Sequence, residues 1–396
     1  MTSVRRPRVG RVLALAVLAG VLWTAGTQPA AGCSTFVLEK DSVLLVGHNL
    51  DETPGFHVPG LLCVNKRGVQ KEGITWADLV ARPEGDEWAD GRAGTTPDST
   101  FSWVSAYGSV TVNTDGLEFP DGGVNEAGLV VFEMSLPRTR FPSNEANHTL
   151  FMSSWIQYQL DNCESVGEVV DNARGINLDG WNWHFLVADA SGDCVVVEFV
   201  DEQVQTFSGE DLPVRALCNS SYPYELNRLA RHDDSRFMDT IKRWLGKTPR
   251  FVKAARMSEG FEEVSEQSSL EYAWEVLAAT RIRGWNKWSI LVDVPGRTVY
   301  FNTEGDREIR YLSLEGIDFS CDTPAQVLDV HESPSGDVSQ DLIDYSYESN
   351  LEFLQGRADL LFVERLRPLM ENGVTAELYA RRFAAHPERT HCAGGE

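Results

Sequence analysis

Basic residues are scarce in this sequence relative to acidic ones. The 396 residues include 35 lysines and arginines against 59 aspartates and glutamates, which gives a formal net charge of −24 at pH 7. Proteins that hold nucleic acids or anionic membranes by electrostatic attraction present clustered positive charge to them. The composition therefore argues against nucleic acid as a partner and against stable association of the mature chain with a membrane.

Long apolar runs are also missing. The longest, residues 13–23, is shorter than the roughly 20 apolar residues that a membrane-spanning helix needs. It follows a segment with four arginines and no acidic residue, and it precedes the small residues Ala30, Ala31 and Gly32. This order is typical of a cleavable secretory signal peptide. We therefore predict that residues 1–32 are a leader and that the mature protein is secreted or periplasmic.

The chain contains no Cys-x-x-Cys pair, so a zinc ribbon or a thioredoxin-like redox motif has no support. Seven cysteines are present, at positions 33, 63, 163, 194, 218, 321 and 392. In an exported protein, an odd number suggests that six pair in disulfides and that the seventh is functional. The sequence does not indicate which cysteines pair, and Cys194 and Cys218 can equally be buried thiols.

Cys33 stands at the junction between the leader and the part of the chain that folds. Cleavage after Gly32 would give it a free α-amine, with an ordinary pKa of roughly 7.7–8.0, next to a thiol with a pKa of roughly 8.5. Such an amine is a base near neutral pH, so one residue would supply both nucleophile and base. The alternatives are a structural thiol or a lipoprotein acylation site, although Ala30 stands where lipoprotein leaders usually have leucine. The residues alone leave these interpretations open.

Apolar patterns alternate between strands and helices along the chain. Strand pairs are predicted at residues 33–38 with 42–47, 183–189 with 194–200, and 288–294 with 297–302. Helical spacing dominates residues 151–160 and 224–284, and Ser165 with Glu168 predicts a capping box at the start of another helix. Strands, then helices, then strands predict an α+β domain with its sheets inside. The polar, glycine-rich residues 83–94 are predicted to form a surface loop, or a lid over a site.

The chain after residue 317 has a different pattern. Apolar residues recur with helical spacing in two stretches: Leu351, Leu354, Ala358 and Leu361, then Ala376, Tyr379, Ala380 and Phe383. We predict a helical extension over residues 318–396, following a main domain over residues 33–317. This extension would pack on the main domain or on a second subunit, so a homo-oligomer is left open.

Six short motifs, in one order along the chain, resemble those of the cysteine N-terminal nucleophile hydrolases. The first combines C-S-T-F at residues 33–36 with G-H-N-L-D at 47–51. The others are G-V-N-E-A-G-L at 123–129, H-F-L-V-A-D at 184–189, L-C-N-S at 217–220, R-F-V-K-A-A at 250–255 and the hairpin at 288–302. The resemblance is to the choloylglycine hydrolase and penicillin V acylase family of linear amide C–N hydrolases, over about residues 33–315. It implies a four-layered αββα sandwich with Cys33 at the end of an inner strand.

The resemblance also implies a role for four matching residues. Cys33 would be the nucleophile, and Asp51 would hold its α-amine by hydrogen bonding. Asn219 would donate its side-chain amide to the oxyanion, and Arg250 would lie beside the nucleophile and organise Asp51 and the thiolate. Without the resemblance, Asp51 and Asn219 are typical of turns, and Arg250 is typical of a helix surface.

Three more residues are assigned to substrate binding or the oxyanion site. A backbone N–H near Ser135 would be the second oxyanion donor, and Asn125 belongs to the motif at residues 123–129. His48 stands where the family usually has arginine, which is permanently charged, whereas histidine can be neutral at pH 7. This difference is expected to change the pH optimum or the substrate group recognised, unless His48 serves only in packing. The resemblance implies no metal and no cofactor.

The implied reaction is hydrolysis of a linear amide in a small N-acyl substrate. The Cys33 amine would take the thiol proton, sulfur would attack the carbonyl, and water would release the acid from the resulting thioester. Bile-salt conjugates, penicillin V-like amides and N-acyl homoserine lactones are all open as substrates. Two other functions remain open: an acyltransferase in which an amine intercepts the same thioester, and a non-catalytic lipoprotein lipidated at Cys33.

Overall fold

The computed structural model describes residues 32–54, 58–81, 100–233, 248–332, 334–364, 366, 369–370 and 373–394. The predicted leader, apart from Gly32, lies outside these described residues, and so does the predicted loop at residues 83–94. Most of the described strands belong to two large sheets.

The first sheet has seven strands and contains the hairpin predicted to start at Cys33. In spatial order they are β14 (Ala216–Leu217), β1 (Ser34–Lys40), β2 (Val43–Asp51), β15 (Asn286–Asp293), β16 (Thr298–Thr303), β17 (Arg310–Ser313) and β19 (Gly336–Asp337). The turn between β1 and β2 places Asp41 at a φ of 54°, a left-handed conformation that aspartate adopts more readily than most residues. β15 and β16 form the predicted hairpin near residue 295.

The second sheet has nine strands. In spatial order they are β13 (Gln203–Ser208), β12 (Cys194–Val200), β11 (Trp183–Ala188), β8 (Val130–Ser135), β7 (Gly122–Asn125), β6 (Ser109–Asn113), β3 (Leu61–Asn65), β18 (Gln326–Asp329) and β20 (Ile343–Asp344). β11 and β12 are the predicted hairpin with its turn at residues 189–193. Two small sheets complete the set: β9 (Thr149–Phe151) with β10 (Asn177–Asp179), and β21 (His391–Cys392) with β4 (Val69–Glu72) and β5 (Ser102–Val104).

Helices form the outer layers. They are α1 (Trp76–Leu79), α2 (Met152–Asn162), α3 (Val166–Gly175), α4 (Tyr222–Asp233), α5 (Arg250–Gly260), α6 (Ser269–Thr280), α7 (Tyr347–Glu364) and α8 (Ala376–Ala385). α5 and α6 contact β1 and β2 of the first sheet, whereas α2 and α3 contact β8 and β12 of the second. This order of helix, sheet, sheet and helix is the αββα sandwich that the family resemblance implies.

Two local features of the helices follow from their sequences. Ser165 and Glu168 form the predicted capping box of α3, each side chain bonding the backbone of the other residue. The first helical position of α5 is Arg250, and Pro249 precedes it as the N-cap residue. Within the described part of the chain, no helix has the length and apolar character required to cross a bilayer.

The two sheets meet in the core beside Cys33. Phe36 on β1 lies over Gly47 on β2, where a Cβ would come within 2.3 Å of the Phe36 ring, so glycine is required for this close approach. The imidazole of His48 stacks on Phe132 of β8, with ring centroids 4.6 Å apart and planes 4° apart. The inner face of the hairpin is therefore packed against the second sheet.

The predicted extension is not helical throughout. Its first part contributes three short strands, β18 and β20 to the nine-stranded sheet and β19 to the seven-stranded sheet. These strands have four, two and two residues, which is too short to produce a recognisable alternation in the sequence. The two predicted helices follow as α7 and α8, and they pack on each other.

The extension is anchored on the core of its own chain. Arg357 on α7 pairs with Asp115 at 2.7 Å, and the hydroxyl of Tyr379 on α8 donates to the same carboxylate at 3.4 Å. Arg382 donates to two backbone carbonyls at the end of α1, at 2.8 and 2.7 Å. A charged group buried at such a contact needs its partner, so the extension and the core stabilise each other.

All seven cysteines lie among the described residues, and the suggestion that six of them pair is wrong. Cys321 and Cys392 form one disulfide, which joins the beginning of the extension to its end. The other five are free and buried: Cys33, Cys63, Cys163, Cys194 and Cys218. The odd number was misleading because a cysteine in an apolar interior is stable without a partner, as a small hydrophobic side chain.

The contact between Arg357 and Asp115 predicts a large stability effect. Arg357→Met leaves the buried Asp115 carboxylate without its charged partner, so the free energy of unfolding should fall by about 3–5 kcal/mol. Arg381→Met is the matched control, because its ion pair with Glu377 is exposed and should be worth less than about 0.5 kcal/mol. Chemical denaturation followed by tryptophan fluorescence measures both. Equal losses in the two variants would contradict the anchoring by Asp115.

A second stability prediction concerns pH. Burial and the charge of Asp115 together raise the pKa of Asp121 to about 7, against the opposing effects of Arg357 and Thr114. The folded chain thus holds this proton more tightly than the unfolded chain, so its stabilising contribution is complete at about pH 4 and is lost as the pH rises through about 7. The free energy of unfolding of Asp121→Asn, relative to wild type, should therefore increase by up to about 4 kcal/mol between about pH 4 and pH 8.

Denaturation titrations at several pH values measure this difference. Asp211→Asn, at an exposed position, is the control and should show a difference that is independent of pH. A flat profile for Asp121→Asn would mean that Asp121 stays ionised in the folded chain across this range.

Candidate active site

Cys33 lies at the start of β1, and the hairpin places the end of β2 beside it. Ser34 pairs with Asn49 and Thr35 with His48, so Asp51 comes to the level of residue 32. The backbone N–H of Gly32 donates to the Asp51 carbonyl at 2.6 Å. Cys33 and Asp51 are both 0% exposed. The antiparallel register of two strands thus accounts for the closeness of the predicted nucleophile and the predicted amine-binding carboxylate.

Arg250 joins the predicted catalytic residues into one cluster. Its guanidinium donates to the backbone carbonyls of Gly32 and of Cys33, the latter at 2.7 Å. It also donates to Asn219 Oδ1 at 2.7 Å and lies 3.7 Å from Asp51 Oδ2. The side chain is one-fifth exposed, so it reaches from the surface into the site. Arg250 therefore contacts each of the other three residues predicted to be catalytic.

Asn219 connects the cluster to Ser135 on the opposite sheet. It follows β14, which pairs with β1, and its Nδ2 donates to the Ser135 carbonyl at 2.9 Å. The preceding residue is held in place by His184, whose Nε2 lies 2.7 Å from the Cys218 carbonyl and whose Nδ1 lies 3.0 Å from Glu198. His184 belongs to a motif of the resemblance and Glu198 lies on β12, but neither was predicted to have a role. Their contacts indicate that they position the Asn219 segment.

Asn125 does not join this cluster. Its Nδ2 donates to the carbonyls of Leu160 and Cys163, and its Oδ1 accepts from the N–H groups of Ala127 and Leu129. All four contacts are to backbone groups, so they use both amide hydrogens and both lone pairs of the oxygen. Asn125 therefore ties the turn between β7 and β8 to the end of α2, and these contacts do not support the predicted role in substrate binding.

His48 is buried and neutral. Its Nδ1 lies 2.9 Å from Thr35 Oγ1, and burial lowers its pKa to about 3. Arginine at this position would bring a permanent charge into the interface between the sheets. With a neutral histidine at position 48, the positive charge that contacts Cys33, Asp51 and Asn219 comes from Arg250.

Glu133 is part of the site, but its role was not predicted from the sequence. The Cys33 thiol donates to Glu133 Oε1, with Sγ and Oε1 3.7 Å apart, and the carboxyl group is buried. The signal available in the sequence was one acidic residue within the apolar strand at residues 129–136. An acidic residue in a strand is usually on the exposed face, so this signal was not distinctive.

The surroundings of Cys33 favour the protonated form of its thiol. Burial raises the pKa of the thiol well above its ordinary value, and the carboxyls of Glu133 and Asp51 raise it further. A hydrogen bond from the Asp51 backbone and the charge of Arg250 act in the opposite direction. The pKa of Glu133 is itself raised well above its ordinary value by burial. A further positive charge beside the sulfur would favour the thiolate.

The Asp51 carboxyl group is close to its titration point near neutral pH. Burial raises its pKa to about 7, while Arg250 and the N–H of Ile282, which donates to Oδ2 at 2.8 Å, oppose that shift. Its other oxygen, Oδ1, is buried and has no hydrogen-bond partner within the described residues. A cationic donor placed beside Oδ1 would therefore satisfy this atom and stabilise the carboxylate.

Comparison with known proteins relates this site to a family. The family model for linear amide C–N hydrolases, choloylglycine hydrolase family, matches residues 33–328. Among solved structures, penicillin V acylase from Agrobacterium tumefaciens is similar with a TM-score of 0.63 and 20% identity, over 79% of this chain and 98% of that chain. A mutant conjugated bile acid hydrolase from Clostridium perfringens has a TM-score of 0.55 and 13% identity, over 77% and 98% of the two chains.

A second variant of the Clostridium perfringens enzyme gives a TM-score of 0.54 at 14% identity, over 75% of this chain and 96% of that chain. No curated protein sequence matches the chain significantly. The structural similarities show a shared αββα fold, and the family match covers most of the chain. The protein is therefore a hydrolase of carbon–nitrogen bonds in linear amides, and it belongs to the choloylglycine hydrolase family.

Proposed function

We propose that the protein is an exported amidohydrolase in which Cys33, as the first residue of the mature chain, attacks the carbonyl of a small N-acyl amide. The observation that carries this proposal is the convergence of Arg250 on Cys33, Asp51 and Asn219. Residues 1–32 would be the signal peptide, and the mature enzyme would be secreted or periplasmic.

Cleavage after Gly32 is the proposed activating step. It would convert the backbone nitrogen of Cys33 into an α-amine next to the Asp51 backbone carbonyl that Gly32 now contacts. The unpartnered Asp51 Oδ1 supports this step, because an ammonium group could donate to it. The new positive charge would also lower the pKa of the thiol, which burial holds high in the uncut chain.

The reaction then follows from the positions of these groups. The α-amine takes the thiol proton, and Sγ forms a bond to the amide carbonyl carbon, which becomes tetrahedral. The carbon–nitrogen bond breaks, the leaving amine takes the proton from the α-ammonium, and a thioester remains on Cys33. Water, deprotonated by the α-amine, attacks the thioester; the acid leaves and the thiol is restored. No step requires a metal or a cofactor.

Asn219 and the backbone near Ser135 are the proposed oxyanion donors. The Asn219 amide group has two hydrogens, so donation to an oxyanion is compatible with its contact to the Ser135 carbonyl. The Arg250 guanidinium donates a hydrogen bond to Asn219 Oδ1. This bond orients the amide group so that its Nδ2 hydrogens point away from the guanidinium. This arrangement is what an oxyanion site requires, namely donors fixed before the charge develops.

The substrate class follows from the family and its named relatives. The similar proteins are a penicillin V acylase and conjugated bile acid hydrolases, so the proposed substrates are small N-acyl amides of that kind. The lipoprotein alternative is less compatible with the structure of the site. Cys33 is 0% exposed and its side chain faces Glu133, so a lipid attached to sulfur would have to displace the packed core.

The nucleophile assignment predicts the outcome of replacing Cys33. Mature wild-type protein incubated with a panel of N-acyl amides should hydrolyse at least one of them and carry an acyl group on Cys33, detected by intact mass and peptide mapping. Cys33→Ala should fold and lose at least about 10⁴-fold in kcat, because no other group can form the thioester. Cys194→Ala, at another buried cysteine, is the control and should keep its turnover. Turnover by Cys33→Ala at the wild-type rate would refute the assignment.

The same assay separates hydrolase from acyltransferase and tests export. Added primary amines should leave the yield of free acid unchanged in a hydrolase, whereas an acyltransferase would give amide products. The measured mass of the secreted chain should equal that calculated for a chain that begins at an unmodified Cys33. A lipid-modified Cys33 would overturn the hydrolase proposal.

The oxyanion assignment predicts a separate kinetic effect. Asn219→Ala should lower kcat by about 10²–10³-fold, because one donor to the tetrahedral intermediate is lost, with a smaller change in KM. Asn227→Ala is the control, since Asn227 is exposed on α4 and contacts only a local carbonyl within the described residues. Steady-state kinetics on the substrate found above measure both variants. Unchanged kcat in Asn219→Ala would remove this residue from the oxyanion site.

A further inference from the structure

Three buried side chains around the nucleophile could act together as ligands. A sulfur atom of Cys33, a ring nitrogen of His48 and a carboxyl oxygen of Glu133 all lie within 4.8 Å of one another. These residues are between 0% and 2% exposed. The proposed amide hydrolysis uses only the first of them, so the other two need a separate explanation.

Two atoms of this cluster lack partners within the described residues. They are His48 Nε2 and Glu133 Oε2, both fully buried. Buried polar atoms are almost always hydrogen-bonded, so an unpartnered pair beside a reactive thiol is unusual. Glu133 has no role in the proposed reaction, although its Oε1 lies 3.7 Å from Sγ.

We propose that Cys33, His48 and Glu133 bind a divalent metal ion of the zinc type, and that the bound ion reversibly blocks the nucleophile. A thiolate and a carboxylate together carry two negative charges, which a dication neutralises in the apolar interior. Binding releases the thiol proton, and any proton on the carboxyl, to solvent. The blocking half of the proposal rests on the proposed function, whereas the binding half does not.

The spacing of the three groups suits tetrahedral zinc. With bond lengths of about 2.3 Å to sulfur and about 2.0–2.2 Å to nitrogen and oxygen, neighbouring ligand atoms lie about 3.4–3.6 Å apart. The separation of 3.7 Å between Cys33 Sγ and Glu133 Oε1 is close to this value already. The remaining separations, at most 4.8 Å, need to shorten by up to about 1.4 Å.

The surroundings of His48 match those of a metal-binding histidine. The Thr35 hydroxyl donates to Met134 Sδ at 2.7 Å, so its oxygen can accept a hydrogen from His48 Nδ1, which lies 2.9 Å away. This tautomer leaves Nε2 as an unprotonated ligand, and a metal-bound histidine typically donates its other N–H in this way. The stacking on Phe132 fixes the plane of the ring.

The ligand types select the class of metal. Sulfur, imidazole nitrogen and one carboxylate suit Zn²⁺ and Co²⁺, whereas Mg²⁺ and Ca²⁺ prefer oxygen ligands. The fourth position can be filled by water or, after cleavage, by the α-amine of Cys33. A metal held through the nucleophilic sulfur would prevent attack on a substrate until the ion is removed.

Cobalt substitution tests binding without any enzyme assay. Mature, tag-free protein is treated with EDTA, desalted and titrated with CoCl₂. We expect one Co²⁺ per chain, with d–d bands of tetrahedral cobalt and a thiolate-to-cobalt charge-transfer band that Zn²⁺ abolishes and that Cys33→Ser lacks. An absent charge-transfer band in wild type, or its persistence in Cys33→Ser, would overturn the proposal.

Single substitutions test the other two ligands. His48→Gln and Glu133→Gln should each weaken the Kd for Co²⁺ at least about tenfold. His386→Gln is the matched control, because His386, the C-cap residue of α8, is also buried and its Nδ1 has no hydrogen-bond partner within the described residues. The Kd of this variant should equal that of wild type. Wild-type Kd values in both ligand variants would refute the site. Circular dichroism shows whether each variant is folded.

Wild-type protein provides a further test should a variant fail to fold. Zn²⁺ should slow alkylation of Cys33 by iodoacetamide at least tenfold and should inhibit amide turnover, and EDTA should restore both. Alkylation unaffected by saturating Zn²⁺ would refute binding through sulfur. Cobalt binding without turnover of any N-acyl amide would refute the proposed function alone, and turnover without metal binding would refute this inference alone.

Discussion

The guanidinium of Arg250 holds together groups from separate parts of the chain. It donates to the carbonyls of Gly32 and Cys33, pairs with Asp51 at the end of β2 and donates to Asn219 after β14. These partners are between 31 and 218 residues away in sequence, so no local structure could place them. Because a guanidinium stays charged at every pH at which the protein folds, it is a fixed positive charge beside the nucleophile. The geometry of the whole cluster therefore depends on where α5 begins.

Burial favours the neutral forms of three groups around the sulfur. It raises the pKa of the Cys33 thiol and of Glu133, and it lowers the pKa of His48 to about 3. A charge is unfavourable in such a place unless an opposite charge enters with it. Leader cleavage would supply one by creating an α-ammonium group, and a bound dication would supply another. The first would favour attack by sulfur, whereas the second would occupy the sulfur and prevent it.

Some of these features could be predicted from the sequence and others could not, depending on whether they produce a pattern along the chain. The hairpin of β1 and β2 and the αββα fold leave a signal along the chain, as alternating residues and ordered motifs. Glu133 left no distinctive signal, because a single acidic residue in a strand looks the same in the sequence whether it faces solvent or a thiol. Asn125 was assigned to the site from its motif, but a motif does not show what its asparagine contacts. In the structure the side chain bonds backbone groups of a turn and of the end of α2. The disulfide of Cys321 with Cys392 spans 71 residues, and spacing carries no information about such a pair.

A series of polar contacts connects the C-terminal extension to Glu133, the carboxyl group beside the nucleophile. Arg357 on α7 pairs with Asp115, and the Thr114 hydroxyl lies 3.4 Å from Asp115 Oδ2 and 3.1 Å from Asp121 Oδ1. The Asp121 carbonyl accepts the backbone N–H of Glu133 at 3.1 Å, and the Asp121 charge adds to the effect of burial in raising the pKa of Glu133. Each step lies in the interior, where charges are poorly screened by solvent. The helices that follow the main domain thus take part in setting the electrostatic environment of the carboxyl group beside the thiol.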